Sequence, residues 1–188
     1  RRRPLQLDAQ AFLRLVEAQK TLMTWDTEAT GLRGDYNSIL VVSVKPFGQK
    51  PQTWSVAKPG QDKALVAAVK ATLDTADCWV TYYGKGFDLP MFNTRLLRWG
   101  LEPLRAVHHL DMYYMLRYRL LTARRSQGHL LDWLGCDNQK MSVGAETWND
   151  VLSDPKALDI LRKRCESDCK GLEDLYRRTK HLVRQITT

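Results

Sequence analysis

Two carboxylates separated by one residue, Asp26 and Glu28, stand in a run of apolar and β-prone residues at positions 22–28. If this run forms a β-strand, side chains two apart share one face of the sheet, so both carboxylates point the same way. Like charges held that close are costly unless a cation or a proton compensates them. The pair therefore indicates a metal site, although an ordinary surface strand can carry the same motif.

A third carboxylate, Asp168, falls within the apolar stripe of a long predicted helix. A carboxylate in a buried stripe is costly unless it pairs with a cation or binds a metal. A structural ion pair with one of the chain's many arginines is the alternative to a metal site. The stripe, with spacings of three and four, consists of Leu158, Leu161, Cys165, Leu172 and Leu175.

The fourth candidate, Asp88, follows the segment TYYGKGF at positions 81–87, where a strand is predicted to give way to a helix. An aspartate before a helix with Pro90 in its first turn is also typical of an N-cap, which is the alternative to a metal ligand. In the preceding segment, Tyr83 and Lys85 stand among glycines. This combination allows a strand of nucleic acid to lie close to the backbone.

Together the four acids offer only carboxylate oxygens, which are the ligands that Mg²⁺ and Mn²⁺ prefer. We expect two such ions, on the order of 4 Å apart, one activating a water molecule and the other stabilising the leaving oxygen of a phosphodiester. The predicted function is therefore metal-dependent nuclease chemistry. The candidate ligands are Asp26, Glu28, Asp88 and Asp168.

Hydrophobic periodicity predicts the elements that position these acids. Their order predicts one α/β domain over residues 1–188, with a hairpin that makes its sheet mixed and with flanking helices. Asp111 is interpreted as the cap of a helix rather than a fifth ligand. The predicted strands are 22–28, 38–47, 53–56, 78–83 and 107–110, and the predicted helices are 8–19, 64–73, 88–99, 111–116, 128–134 and 155–182.

The charge balance favours a polyanionic partner. The chain has 29 Lys and Arg against 21 Asp and Glu, a formal net charge of +8, so nucleic acid is the leading candidate and a merely basic surface is the alternative. Arg124 and Arg125 cluster in a predicted loop and are expected to contact phosphates, unless that loop is simply solvated. Residues 1–3, all arginine, are interpreted as a solvated tail.

The four cysteines and the hydropathy pattern predict the environment of the protein. A domain of 188 residues does not need disulfides to be stable. One pair of cysteines stands four residues apart, but no second Cys or His pair stands at the spacing typical of a zinc site. No apolar run approaches the length of a membrane span, and no signal peptide is visible. We expect a soluble protein with reduced thiols in an intracellular compartment, and no membrane partner.

The acidic motifs resemble those of the DEDD superfamily of 3′–5′ exonucleases, which have a ribonuclease H-like fold. The likeness is closest to the exonuclease domains of family-B DNA polymerases and to stand-alone phage or microbial nucleases. It covers nearly the whole chain and implies two-metal hydrolysis that releases mononucleotides from a 3′ end, with the four acids as ligands. The matching segments are WDTEATGL at 25–32, TYYGKGFDLP at 81–90 and RCESD at 164–168.

One position departs from the superfamily pattern. Its members usually have a Tyr four residues before the last Asp, or a His five before it, to orient the attacking water. This chain has Arg164 and Lys163 there, which leaves the water-orienting residue open, with His108, His109 and His129 as candidates. Arg164 lies one helical turn before the last Asp, so its guanidinium is expected to bind the scissile phosphate or pair with an acid.

Two other functions remain open: a structure-selective endonuclease on the same fold, and a catalytically silent nucleic-acid-binding module. The expected partner is single-stranded nucleic acid or a 3′ end. DNA is favoured over RNA, although both present the same phosphodiester to the metals. Whether the domain works alone or within a larger replication or repair protein also stays open.

Overall fold

The computed structural model describes residues 8–151, 153–184 and 186. These residues form a five-stranded sheet in the order β3-β2-β1-β4-β5. The strands are β1 Leu22–Ala29, β2 Ile39–Pro46, β3 Gln52–Ser55, β4 Cys78–Thr81 and β5 His108–Asp111. The helices are α1 Ala9–Gln19, α2 Lys63–Leu73, α3 Asp88–Arg98, α4 Met112–Arg117, α5 Gln127–Trp133, α6 Ala145–Asp150 and α7 Pro155–Thr179, and a 3-10 turn, Lys180–Leu182, follows α7.

The sheet is mixed, as predicted. β1, β2 and β3 pair antiparallel, whereas β4 pairs parallel with both β1 and β5. The carboxyl ends of β1, β4 and β5 therefore lie at one edge of the sheet, where α/β proteins commonly bind ligands. Helices cover both faces of the sheet, and a separate hydrophobic core lies on each face. Alternate residues of β4 therefore belong to different cores: Trp79 to one, and Cys78 and Val80 to the other.

Helix α7 is anchored across the centre of the sheet by polar contacts that local sequence patterns do not reveal. The Thr24 hydroxyl donates to the carbonyl of Cys169 at 3.2 Å. The Cys169 thiol in turn donates to the carbonyl of Ser43 at 3.3 Å. A buried ion pair between Lys45 of β2 and Glu173 of α7 adds a third link. These contacts determine which face of α7 meets β1.

Helix α3 is held by a buried carboxylate, Asp62, which the sequence pattern does not single out. Its oxygens accept hydrogen bonds from the Arg95 guanidinium at 2.8 and 2.9 Å and from the Trp99 indole at 2.7 Å. The backbone N–H of Ile39 donates to it as well, at 2.9 Å. Burial opposes ionisation of Asp62, but these hydrogen bonds outweigh burial and lower its pKa.

The predicted element order is confirmed, while several boundaries differ. The strand predicted to reach Tyr83 ends at Thr81, because the backbone of Tyr83 takes a positive φ of 64°. The last helix ends at Thr179 before its 3-10 turn, and the short helix α6 was not predicted. The prediction of a solvated tail at positions 1–3 lies outside the described residues.

All four cysteines lie in the described part of the chain, and each is a buried free thiol, as expected. None of the helices in the described ranges combines the length and the apolar character that a bilayer crossing requires.

Candidate metal centre

Asp26, Glu28 and Asp168 come together at the centre of the sheet. Asp26 and Glu28 share the face of β1 that meets α7, and the Cys165 thiol donates to the Asp26 carbonyl at 3.2 Å. Each of the three acids offers a carboxylate oxygen, and these oxygens all lie within 4.8 Å of one another. The arrangement therefore concentrates three carboxyl groups at one point.

The donor set fits a divalent cation. Asp168 and Glu28 are 2% and 6% exposed, and Asp168 Oδ1 has no hydrogen-bond partner among the described residues. A buried, unpaired carboxylate oxygen is costly unless a cation takes it up. Since all the ligand atoms are oxygens, the site suits hard cations such as Mg²⁺ or Mn²⁺.

Asp88 lies near this group but outside its 4.8 Å limit. It is the first residue of α3, and Phe87 stands at the N-cap position without a side-chain capping hydrogen bond. The alternative interpretation of Asp88 as an N-cap is therefore wrong. Its carboxylate is 4% exposed, and its Oδ1 lacks a hydrogen-bond partner among the described residues. This unpaired oxygen is compatible with a fourth ligand.

The surroundings make these acids hard to ionise without a cation. Burial and then the negative charge of Asp168 raise the pKa of Asp26 from 3.8 to about 7. Burial and the nearby Asp26 raise the pKa of Glu28 from 4.5 to about 8. The same two causes raise the pKa of Asp88 well above its ordinary value. A divalent cation would favour the ionised forms.

Arg164 pairs with an acid, which is one of the two outcomes expected for it. Its Nε lies 2.8 Å from Glu28 Oε1 and 3.9 Å from Asp168 Oδ2, although the atoms are not aligned for a hydrogen bond. The guanidinium also lies over the Trp148 ring, 5.5 Å from its centroid. Arg164 therefore contributes positive charge at the position where the resembled nucleases have a tyrosine.

A second cation at the site, Lys140, was missed by the sequence analysis. Its Nζ lies 2.5 Å from Asp168 Oδ2. Lys140 belongs to the loop between α5 and α6, which bonds to α7: the Ser167 hydroxyl donates to the Gln139 carbonyl at 2.8 Å. No local pattern marks Lys140, since a lone lysine in an irregular segment has no periodicity that reveals its partner.

Two of the candidate histidines make contacts that stabilise the fold. His109 is buried, its Nε2 lies 2.8 Å from the Thr81 hydroxyl, and burial lowers its pKa to about 3. His108 packs its ring against Phe12 with centroids 4.4 Å apart, beside α1. His129, the third candidate, is half-buried on α5.

The segment at 81–90, the second of the three motifs that match the exonucleases and called the second motif below, has its loop hydrogen-bonded to β5. Asp111 caps α4 through the Tyr113 N–H at 3.1 Å, as predicted. The same carboxylate also accepts the N–H groups of Tyr83 and Lys85, each at 2.9 Å. Tyr83 is exposed and Lys85 is half-buried in the turn that leads to Asp88. Asp111 thus positions the loop that contains two of the predicted nucleic-acid contacts, Tyr83 and Lys85.

The other predicted phosphate contacts, Arg124 and Arg125, are exposed in the loop between α4 and α5. The Tyr82 hydroxyl donates to the Arg125 carbonyl, so this loop is joined to the second-motif loop.

Two clefts flank the carboxylates. One, of about 350 Å³, includes Glu28 and is lined by the apolar side chains of Leu32, Phe87 and Trp148. The other, of about 430 Å³, is lined by Lys140 and Arg164. The first cleft suits a flat apolar group and the second an anion.

A mixed five-stranded sheet with carboxylates on its central strand and on the last helix defines a ribonuclease H-like protein with a nuclease fold. The chain belongs to the RNase_H superfamily, whose family model matches residues 23–180. This membership confirms the fold class and the resemblance drawn from the motifs.

Among solved structures, the family B DNA polymerase from the hyperthermophilic archaeon Pyrobaculum calidifontis has a similar fold, with a TM-score of 0.67 and 16% sequence identity. The match covers 85% of this chain and 24% of the polymerase chain. At this identity the likeness shows the fold alone. No curated protein sequence matches this chain.

Proposed function

We propose that this chain is a divalent-metal-dependent 3′–5′ exonuclease that hydrolyses the phosphodiester bonds of nucleic acid, with DNA favoured over RNA. The observation that carries the proposal is the cluster of Asp26, Glu28 and Asp168, whose ligand oxygens lie within 4.8 Å of one another. The unpaired Asp88 oxygen beside it supports a fourth ligand. In this proposal the four acids hold two Mg²⁺ or Mn²⁺ ions.

The bound ions supply activation of water and stabilisation of the leaving oxygen. The chain's own residues hold and orient the substrate. The cleft of Leu32, Phe87 and Trp148 accepts the terminal base beside Glu28. Arg164 and Lys140, which line the second cleft, bind phosphate oxygens once the ions take over their carboxylate partners. A cleft that accepts one terminal base favours cleavage at the end of the nucleic acid strand.

The proposal is tested by incubating the protein with end-labelled single-stranded and duplex DNA and RNA, in Mg²⁺, in Mn²⁺ or with a chelator. We expect a ladder that shortens from the 3′ end, and only when metal is present. Cleavage of substrates with blocked 3′ ends into internal fragments would instead assign a structure-selective endonuclease. Absence of any cleavage in either metal would reject both activities.

One observation favours a second candidate, the catalytically silent nucleic-acid-binding module. Arg164 lies 2.8 Å from Glu28 and Lys140 lies 2.5 Å from Asp168, so the chain itself supplies positive charge to these acids. A titration with Mn²⁺ in the absence of substrate separates the candidates, because a silent module of this kind would bind no metal at physiological concentrations.

The whole protein's role is also a proposal. The chain corresponds to 24% of the polymerase chain that it resembles in fold. This proportion is compatible with a domain that trims 3′ ends within a larger replication or repair protein.

Binding to nucleic acid is expected to weaken steeply as the salt concentration rises. The net charge of +8 indicates that Lys and Arg side chains displace the counterions of the phosphates on binding, and added salt opposes that displacement. Replacing Arg124 and Arg125 with Ala should lower both the affinity and the salt dependence. For single strands, the slope of log K against log salt should fall by about 1.4, since each phosphate contact contributes roughly 0.7. Fluorescence anisotropy with a labelled oligonucleotide in chelator measures both quantities.

The matched control removes the same charge at the opposite edge of the sheet. Arg14 of α1 and Lys50 of the β2–β3 turn are both exposed there, and their double Ala variant should keep most of the slope. A slope that is unchanged in the Arg124/Arg125 variant would remove this loop from the contact surface.

A further inference from the structure

Four tyrosines in the segments that follow β4 and β5 form a connected surface, called the tyrosine surface below. The Tyr83 ring lies 5.1 Å from the Tyr113 ring and 5.9 Å from the Tyr114 ring, between centroids, and the last two rings are 5.2 Å apart. The Arg117 guanidinium lies 5.7 Å from the Tyr113 ring and 5.0 Å from the Tyr118 ring, which links the fourth tyrosine.

Part of this aromatic area faces solvent. Tyr83 is 45% exposed and Tyr118 is 73% exposed. Single exposed aromatic side chains are common, but here the two exposed rings are joined through half-buried aromatic and cationic side chains beside a charged cleft, as is typical of a binding site.

The surface is held in place before any ligand arrives. Tyr83 keeps a left-handed backbone, with φ of 64°, because the Asp111 carboxylate accepts its N–H and that of Lys85 at 2.9 Å each. The Tyr83 ring also packs closely over Gly86, where a Cβ atom would collide with it. A rigid aromatic ring loses little conformational entropy when a flat ligand stacks on it.

The charge around these rings suits a polyanion. The tyrosine surface borders a cleft of about 350 Å³, within the usual size range of ligand clefts, which is about 300–1,000 Å³. Among the described residues, Asp111 is the one carboxylate in the lining of this cleft, and it accepts backbone N–H groups. The cleft lining includes two tyrosines and three cationic residues, namely Tyr114, Tyr118, Lys85, Arg119 and Arg184.

The tyrosine surface lies at the same edge of the sheet as the carboxylates. It is built from the segments that follow β4 and β5, and both strands run parallel to β1, which carries Glu28 near its carboxyl end. Neighbouring strands are about 4.8 Å apart, so the segment after β4 begins one strand away from β1 and the segment after β5 two strands away. Tyr83 precedes Asp88 by only five residues.

We infer that the tyrosine surface binds the unpaired bases of the strand that leads into the metal centre, on the 5′ side of the terminal nucleotide. Bases stack on the exposed rings, while the cations of the cleft track the backbone phosphates. Stacking needs unpaired bases, so this surface selects single-stranded nucleic acid over duplex. The inference rests on the proposed function for the identity of the substrate as nucleic acid.

The test measures binding in chelator, so that it does not depend on cleavage. Two labelled single strands of equal length are compared by anisotropy, one with normal bases and one with abasic sites at the nucleotides next to the 3′ end. The variants are Tyr83→Leu and Tyr118→Leu, which remove a ring but keep an apolar side chain. Tyr83→Phe and Tyr118→Phe are the matched controls.

We expect each Leu variant to bind the normal strand roughly 5- to 150-fold more weakly than the wild type, as for the loss of one stacked base. The Phe variants should bind like the wild type, and the abasic strand should bind the wild type and the Leu variants equally. Equal binding of the normal strand by the Leu and Phe variants, or wild-type preference for duplex, would overturn the inference.

A measurement on the unaltered protein covers the case in which a Leu variant misfolds. A fluorescent base analogue placed within the first few nucleotides from the 3′ end should be quenched on binding to the wild type, because stacking quenches it. An unquenched analogue would overturn the inference even if the same strand is cleaved in Mg²⁺. Quenching without cleavage in either metal would support the surface while the proposed exonuclease function fails.

Discussion

Replacing any one of the three clustered carboxylates by its amide is expected to lower the rate of cleavage by about a thousandfold or more. Metal ions stabilise the transition state by several kcal/mol, and roughly 1.4 kcal/mol of activation free energy corresponds to a tenfold change in rate. Asp26→Asn, Glu28→Gln and Asp168→Asn keep the size of the side chain and remove its charge. Initial rates on end-labelled DNA in Mg²⁺ and Mn²⁺ measure the effect.

The effects should not add, because the acids act as one unit. A double variant should be little slower than either single variant. A double variant that kept near-wild-type rates in both metals would show that these acids are not the catalytic metal ligands. Asp159→Asn is the matched control, since its side chain is 68% exposed on the same helix as Asp168. Asp88→Asn should also lose most activity, and a wild-type rate for it would exclude the fourth ligand.

Asp26→Asn and Glu28→Gln should also make the protein's stability less dependent on pH when metal is absent. The folded pKa of Asp26 is raised to about 7 and that of Glu28 to about 8, so the folded state holds protons that the unfolded state releases. The stability that these two groups contribute is therefore fully present below about pH 4 to 4.5. This contribution is lost as the pH rises to about 8.

Thermal melting in chelator across this pH window checks the expectation. Asp26→Asn and Glu28→Gln should each flatten the decline, and both should keep a cooperative transition. A decline as steep as in the wild type would show that these acids are not held in the protonated form. Added Mn²⁺ should raise the melting temperature of the wild type more than that of either variant.

Arg164→Ala is expected to slow single-turnover cleavage by about 10- to 100-fold, because a hydrogen bond to a charged group contributes roughly 1.5–3 kcal/mol and about 1.4 kcal/mol is a tenfold change in rate. Arg164 lies 2.8 Å from Glu28 and cannot act as a base, so its proposed contribution is to hold the substrate phosphate when metal ions occupy the carboxylates. Arg164→Tyr restores the residue of the resembled nucleases and should stay active, with a gain in rate in Mg²⁺. Single-turnover rates across pH measure both variants.

Metal affinity provides a readout that does not depend on cleavage. Removing the guanidinium removes a cation that competes for Glu28, so Mn²⁺ should bind more tightly to Arg164→Ala than to the wild type in calorimetric titrations. Lys163→Ala, which alters an exposed neighbour on α7, is the matched control and should change neither property. If Arg164→Ala equals the wild type in rate, substrate affinity and metal affinity, Arg164 has no part in the mechanism.

Local patterns predicted most of the fold because the central strands are runs of β-prone residues and the long helices bury one regular face. The apolar and β-prone run of β1 and the three-and-four spacing of α7 both led to elements that the structure contains. Prediction was weakest at α6, Ala145–Asp150, a helix of six residues that begins at Gly144 without a side-chain cap. So short a segment has too few residues to show a helical period.

The second motif shows where a local rule gives the wrong alternative. An aspartate at the start of a helix normally caps it, but Asp88 stands one residue inside α3 and leaves its buried Oδ1 unpaired among the described residues. Burial and then the charge of Asp26, which is distant in sequence, raise the pKa of Asp88. A sequence window around position 88 contains no sign of that neighbour.

By itself, the sequence determined the order of strands and helices and the shared face of Asp26 and Glu28, since both follow from residue spacing along an extended or helical backbone. Tertiary structure alone decided that Asp168 meets these two acids, that Arg164 pairs with Glu28, and that Lys140 reaches Asp168. The physical reason is that periodicity specifies which way a side chain points from its own element. Which distant side chain it then meets depends on how the elements pack, as when the Thr24 and Cys169 hydrogen bonds set α7 against the sheet.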